Sequence, residues 1–261
     1  KISIENADIQ ELIINKLKFL DNFVCFLNNK GEEFLKKIKV YNLDNLGAEL
    51  KMGNLDDAIR KRRFRIKDLF KLAEYLDIDD NETYFFIDTI KNANEGWRVG
   101  HTSKTIKLPN LNEPEKLGYV LGCIAGDGHI SKSNVILNNN DREVKDAYTE
   151  YLKEIFYLDS QEKRAHTCDI VIDKGGMSFV RFITDVIGFP KKNKSADVGV
   201  PLIAQKNREV FRGFFAGLID TDGYVSHINN SIDLTIKSRK IIKKFSILFL
   251  NFGIHSAYLF F

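Results

Sequence analysis

Asp127 and Asp222 each close a run of small and apolar residues, LGYVLGCIAGDGHIS at 117–131 and RGFFAGLIDTDGYVS at 212–226. Two carboxylates brought together repel unless they are protonated or bridged by cations, and hard oxygen ligands of this kind suit Mg²⁺, with Mn²⁺ as a substitute. The chemistry that such a pair favours is phosphodiester hydrolysis, in which metal ions activate water and stabilise the leaving oxygen. If a pseudo-twofold axis runs between the acids, each serves one of two scissile phosphates.

The elements that must position the acids come from an internal repeat. Sliding the chain by 95 residues lays Gly118 on Gly213, Gly122 on Gly217, Ile124 on Ile219, Asp127 on Asp222, Gly128 on Gly223 and Ser131 on Ser226. Further on the offset becomes 97, and Val144, Tyr148, Tyr151, Leu152 and Ile155 fall on Ile241, Phe245, Leu248, Phe249 and Phe252. That apolar set describes one helix face in each copy, after a hairpin two residues longer in the second. The pattern predicts helix 115–126, strands near 129–132 and 134–138, helix 141–156, strands near 161–166 and 168–173, and helix 177–187. Gly188 and Pro190 end that copy. A Lys-rich link from Lys191 to Val200 leads into helix 202–221, strands near 223–228 and 231–236, helix 238–251 and a strand from about 255. The second copy then lacks a last strand and closing helix, so the sequence is expected to be a piece of a longer chain.

Residues four apart stack on one helix face, so Gly118 with Gly122 and Gly213 with Gly217 allow two helix backbones to approach closely. Glycine costs about 1 kcal/mol relative to alanine inside a helix, which two matching pairs must recover through packing. Each helix would then deliver its terminal Asp to the bottom of a shared interface.

Composition sets wider limits. A chain of 261 residues with 44% hydrophobic content can bury more than one core. No apolar stretch approaches the roughly 20 residues that cross a bilayer and no cleavable signal pattern opens the chain, so no membrane partner is expected and a cytoplasmic location is. Cys25, Cys123 and Cys168 lack CxxC spacing and indicate neither a disulfide framework nor structural zinc. The net charge of +3 is too small to identify a partner, but the cations cluster.

The two runs resemble the paired motifs of the LAGLIDADG homing endonucleases: AGLIDTDG is close to the signature and LGCIAGDG is a looser version. The resemblance covers roughly 113–261. It implies an α+β fold of two pseudo-symmetric αββαββα halves, 113–190 and 200–261, joined at paired motif helices. It also implies a sheet saddle over the DNA major groove, and Asp127 and Asp222 as catalytic metal ligands. Asp220, where the first copy has Ala125, reads as structural or secondary. The family places a basic residue after the second strand of each half. This falls at Lys237, expected to be catalytic and to contact DNA, and at Asn140, a departure for which Lys191, Lys192 or Lys194 could compensate. These lysines and Arg239 are expected to contact DNA. His129 and His227 read as strand or surface residues rather than ligands.

Residues 1–105 do not repeat the later halves and are read as an all-α domain. Within it, 43–77 resembles a phage-repressor type helix-turn-helix: a helix ending near Leu50, a turn at Met52 and Gly53, a helix from Leu55 and another from Ile66 to Leu76. Its second helix, 54–60, would enter a major groove while Arg60, Lys61, Arg62, Arg63 and Arg65 touch phosphates. Trp97 reads as a packing anchor in the link that follows.

Together these features predict a monomeric site-specific endonuclease on a long asymmetric double-stranded DNA target. An RNA-splicing maturase with intron RNA as partner, or a non-cutting DNA-binding regulator of the same fold, are the alternatives. The presence of both acids weighs against the regulator. With no opening Cys or Ser splice junction and no terminal His-Asn pair, an intact intein is not indicated. A free-standing, intron-encoded or excised endonuclease region all fit.

Overall fold

The computed structural model describes residues 9–93, 105–164, 168–172, 175–228 and 230–257. Two compact units divide the chain, one of residues 10–108 and one containing 109–261. Trp97 lies outside the described residues, as do 165–166 of the predicted strand 161–166 and 173 of the predicted strand 168–173.

The first unit contains α1 (Ile9–Leu17), β1 (Phe23–Leu27), α2 (Gly31–Ile38), α3 (Leu43–Glu49), α4 (Leu55–Arg60), β2 (Arg63–Arg65), α5 (Ile66–Tyr75), α6 (Asp80–Phe85) and β3 (Ile87–Asn92). Its strands form an antiparallel sheet in the order β2-β1-β3, which corrects the all-α expectation. The sequence Phe23-Val24-Cys25-Phe26-Leu27 is apolar throughout, and such a short run has no period that separates a strand from a buried helix. Arg63-Phe64-Arg65 alternates, with only Phe64 fully buried, but that alternation is concealed inside a basic run.

The helices expected in 43–77 are present. Asn42 and Asn54 cap α3 and α4 by accepting hydrogen bonds from the Asn45 and Asp57 amides. The segment departs from a purely helical motif at β2, which pairs with β1 before α5 begins. Only six residues, Leu55–Arg60, form α4.

In the second unit, α7 (Pro114–Ala125) leads into β4 (Gly128–Ile130), β5 (Val135–Asn138), α8 (Arg142–Phe156), β6 (Ser160–Arg164), β7 (Cys168–Ile172) and α9 (Gly176–Arg181), which continues as a π-helical turn through Ile187. The strands make an antiparallel sheet in the order β4-β5-β7-β6. Val144, Tyr148, Leu152 and Ile155 form the buried face of α8, as the repeat predicted. Asp141 caps this helix through the Glu143 and Val144 amides.

The second copy follows a four-residue helix, α10 (Lys194–Asp197), set in the Lys-rich link. The helix expected over 202–221 is interrupted and becomes α11 (Leu202–Lys206) and α12 (Arg208–Asp222). Asn207 is extended, and its side chain accepts from the Glu209 and Val210 amides, restarting the helix with its own cap. After α12 come β8 (Gly223–Ser226), β9 (Ser231–Leu234) and α13 (Arg239–Leu248), then a short 3-10 turn through Phe252. Phe211, Phe215, Phe245, Phe249 and Phe252 pack ring against ring between α12 and this end of the chain. Residues 255–257 are not a strand, and 258–261 lie outside the described part of the strand expected there.

The contact that organises this unit is the crossing of α7 and α12. A Cβ at Gly118 would collide with the Val210 carbonyl oxygen, and one at Gly122 with that of Phe214. Reciprocally, one at Gly213 would collide with the Glu115 oxygen, and one at Gly217 with that of Tyr119. Glu115 and Tyr119 are the residues that the 95-residue offset lays on Val210 and Phe214. All four glycines therefore act as the small contact points that the sequence implied.

Candidate active site

The crossing helices end side by side. Asp127 follows the C-cap of α7, Gly126, whose amide still donates to the Gly122 carbonyl. Asp222 is the last residue of α12. A Cβ on Gly126 would strike the Thr221 side chain and come within 3.3 Å of Asp222 Oδ2, so glycine is what allows the second carboxylate to approach the end of the first helix. Both acids are half-buried.

Their surroundings differ. Asn139 Nδ2 donates to Asp127 Oδ2 at 2.7 Å, while Asn139 Oδ1 accepts from the Asp141 amide at 2.7 Å, fixing which way the amide points. At the 97-residue offset the matching position in the second copy is Ile236, which has no donor to give. Burial raises the pKa of Asp127, opposed by the Asn139 hydrogen bond and the charge of Lys194. Burial also raises that of Asp222, and the charge of Asp127 adds to the rise while Lys194 opposes it. The two carboxylates therefore repel one another, and Asn139 hydrogen-bonds the first.

The cation acting on both acids is Lys194. Its ammonium donates to the carbonyl oxygens of Ile124 at 3.1 Å, Ala125 at 2.8 Å and Gly126, neutralising the negative end of α7. Burial lowers its pKa to about 8, against the opposing pull of Asp222 and Asp127. The structure thus places a positive charge where the helix end and the two acids create negative potential. The two carboxylates are hard oxygen donors of the kind a divalent cation takes, and the Lys194 ammonium already offsets part of their charge. Among the described residues no group of three or more His, Cys, Asp or Glu forms a ready-made metal cage. Mg²⁺ is commonly held in this manner, by one or two carboxylates with water and substrate phosphate oxygens completing its shell.

Lys237 is exposed after β9, and its charge is not among those acting on Asp222. Arg239 is exposed at the start of α13, and Lys192 is exposed in the link. Lys191 forms an ion pair with Asp185 at 2.7 Å. Arg60 and Lys61 both pair with Asp57 at 2.7 Å, and Arg62 pairs with Glu32. Arg63 and Arg65 lie on β2. Asp220 accepts from the Tyr119 hydroxyl at 2.9 Å, tying the two motif helices together, as its secondary reading expected. His129 lies exposed on β4. Sequence reasoning missed Asn139; the available signal was the repeat offset, which pointed one residue away to Asn140.

Residues 209–258, which include the second motif, match the LAGLIDADG-like domain family, in line with the resemblance carried by the two motifs. Among curated proteins, the chain is 27% identical over 240 residues to a probable translation initiation factor IF-2 of Methanocaldococcus jannaschii, covering 90% of this chain and 19% of that protein. It is 25% identical over 161 residues to a glutamine–fructose-6-phosphate aminotransferase of the same organism, covering 60% and 14%. It is 24% identical over 244 residues to elongation factor 2 of Methanopyrus kandleri, covering 90% and 18%. The chain spans about a fifth or less of the length of these curated relatives. No described helix is long and apolar enough to cross a membrane.

Proposed function

We propose that the chain is a site-specific DNA endonuclease that hydrolyses one phosphodiester in each strand of a long asymmetric duplex. The observation that carries this reading is the juxtaposition of Asp127 and Asp222 at the ends of two helices crossing through four glycines, with Lys194 beside them. The reciprocal glycine contacts support two pseudo-symmetric halves within a single chain acting as a monomer. The difference between Asn139 and Ile236 supports unequal halves and hence an asymmetric target.

Asp127 and Asp222 would hold Mg²⁺, or Mn²⁺ in its place. When bound, the metal would supply an activated water and stabilise the leaving oxygen. Asn139 holds the Asp127 carboxylate in one orientation, so little reorganisation accompanies the reaction. Lys194 keeps a positive charge beside the scissile phosphates. The sheet β4-β5-β7-β6 and the β8-β9 pair would face the DNA, with Lys192, Lys237 and Arg239 contributing phosphate contacts.

The relatives also support a module that travels independently of its surroundings. An initiation factor, an elongation factor and an aminotransferase differ in activity, yet each matches this chain over a minor part of its own length. A segment shared by proteins that differ in this way is better explained by its own activity than by theirs, and a nuclease that cuts chosen sites fits that pattern.

The test is incubation of the protein with a library of long random duplexes and Mg²⁺, followed by sequencing of the cut ends. One recovered long sequence supports the endonuclease. Retention of DNA or intron RNA without cutting under Mg²⁺ or Mn²⁺ would move the assignment to a regulator or a maturase.

A further inference from the structure

The link that carries Lys194 is tied down on both sides of it. Before it, Lys191 pairs with Asp185 of the π-helical turn at 2.7 Å. Lys194 then opens α10, a four-residue turn, and a helix that short has no stability of its own. The turn closes where the Val198 amide donates to the Lys194 carbonyl at 2.9 Å, so the backbone of Lys194 follows Val198. The Val198 side chain is buried, and its carbonyl accepts from the Ser238 hydroxyl. Beside this bond, Lys240 Nζ reaches the Asp197 carboxylate at 3.2 Å and the Asp197 carbonyl oxygen at 3.3 Å. Both of these anchors come from the start of α13, in the second repeat.

The repeat shows that Ser238 does more than cap its helix. At the 97-residue offset it falls on Asp141, and each residue caps the second helix of its copy. Asp141 accepts from the Glu143 and Val144 amides, and Ser238 accepts from the Ile241 amide at 3.4 Å. A carboxylate offers acceptors only, whereas one hydroxyl can accept from the helix and donate at the same time. Capping alone is served as well by aspartate, so what the serine adds is the donor that holds Val198. Ser238 is fully buried and meets no substrate. A chain of hydrogen bonds thus runs from α13 through Val198 and Lys194 to the carbonyls that end α7, beside Asp127.

We infer that Ser238 is a positioning residue for cutting: by holding Val198 it fixes the turn that carries Lys194, so the second repeat sets the cation beside the acid of the first. Lys240 assists through Asp197. The role of Lys194 in cutting rests on the nuclease reading of Asp127 and Asp222, whereas its placement by Ser238 does not.

The first measurement uses neither DNA nor metal. The full chain is treated briefly with acetic anhydride, and acetylation of individual lysines is read by peptide mass spectrometry. Lys194, lodged against α7, should react more slowly than the exposed Lys192. Ser238→Ala should raise Lys194 reactivity by about fivefold, the scale of losing one buried hydrogen bond, with Lys192 unchanged. Lys240→Met, which removes an exposed pair, should raise it by about twofold. Asp141→Ala, the equivalent cap loss in the first repeat, should leave it unchanged. The buried Lys145 reports misfolding; if its reactivity also rises in Ser238→Ala, the Lys240→Met result decides. Unchanged Lys194 reactivity in the deciding variant would overturn the inference, as would an equal rise in Asp141→Ala.

Single-turnover cutting of the target recovered from the random library follows. Ser238→Ala should cut about fivefold more slowly at unchanged DNA affinity, and should cause no further loss in a Lys194→Met background. Equal losses in both backgrounds would give Ser238 a structural role only and overturn the inference. If the unsubstituted chain does not cut, the nuclease reading fails, and Lys194 acetylation still decides whether Ser238 places the lysine.

Discussion

Lys194 Nζ donates to the Ala125 carbonyl oxygen at 2.8 Å, so a residue from the link between the repeats closes the end of the first motif helix. The same ammonium opposes the upward pKa shifts of Asp127 and Asp222. One side chain therefore has both a structural partner and an electrostatic relationship with the two acids.

That relationship separates two lysines. Lys194→Met should lower the cutting rate by about 100-fold, the usual scale for losing one preorganised charge or donor at a reacting phosphate or carbonyl. Lys237→Met, at an exposed site, should mainly weaken DNA binding. Single-turnover cutting together with binding affinity for both variants checks this. A larger loss of cutting in Lys237→Met would reassign the basic role.

The acid pair should reduce stability in return for function. Both carboxyl pKa values are raised by burial, so their ionised forms are disfavoured in the folded chain. The cost is absent below the ordinary value of 3.8 and is incurred as pH rises through the raised folded values. At neutral pH without metal, Asp127→Asn and Asp222→Asn should each raise the melting temperature by about 2–4 °C per kcal/mol relieved. Added Mg²⁺ should stabilise the unsubstituted chain and have less effect on either variant. Differential scanning calorimetry across pH 4–8 reads these effects, a span of about four pH units around the carboxyl range.

Asn139 should tune the first acid alone. It favours the charged form of Asp127, so Asn139→Leu should push that carboxyl further up. The acid limb of the cutting profile then moves to higher pH, with the larger effect on one DNA strand. Strand-resolved rates against pH measure it.

Closing the glycine contacts should be expensive. A Cβ at Gly122 or Gly217 meets the carbonyl of the facing helix, which cannot rotate away as a side chain can. Gly122→Ala or Gly217→Ala should cost at least about 2–3 kcal/mol in chemical denaturation. By moving the helix ends apart, either substitution should also reduce cutting of both strands. Gly199→Ala, with no atom within 4 Å of its added carbon, serves as the control.

Much of this arrangement was legible because the repeat constrained it. Gly118, Gly122, Gly213 and Gly217 indicated a helix crossing, and the shared offset put Asp127 and Asp222 at equivalent helix ends. Helix α8 was readable from the spacing of Val144, Tyr148, Leu152 and Ile155. The N-terminal sheet was not, since Phe23–Leu27 has no periodicity and its partner strands are recognised only through long-range pairing. The break at Asn207 depended on a local cap that competed with a helical pattern continuing on both sides. Asn139 and Lys194 reach the site from a strand end and a link. Lys194 was among the link lysines expected to compensate for Asn140, but which of them reaches the acids, and that Asn139 does, depends on tertiary placement, which neighbouring sequence does not encode.

The central claim is that Asp127 and Asp222 form one paired site for phosphodiester hydrolysis. Strand-resolved cutting of the target recovered from the random library, using Mg²⁺ with the unsubstituted chain, Asp127→Asn and Asp222→Asn, tests it most directly. The account predicts that the unsubstituted chain cuts both strands, and that either variant loses double-strand cutting while still binding the duplex. Unimpaired cutting of both strands by the two variants would contradict it.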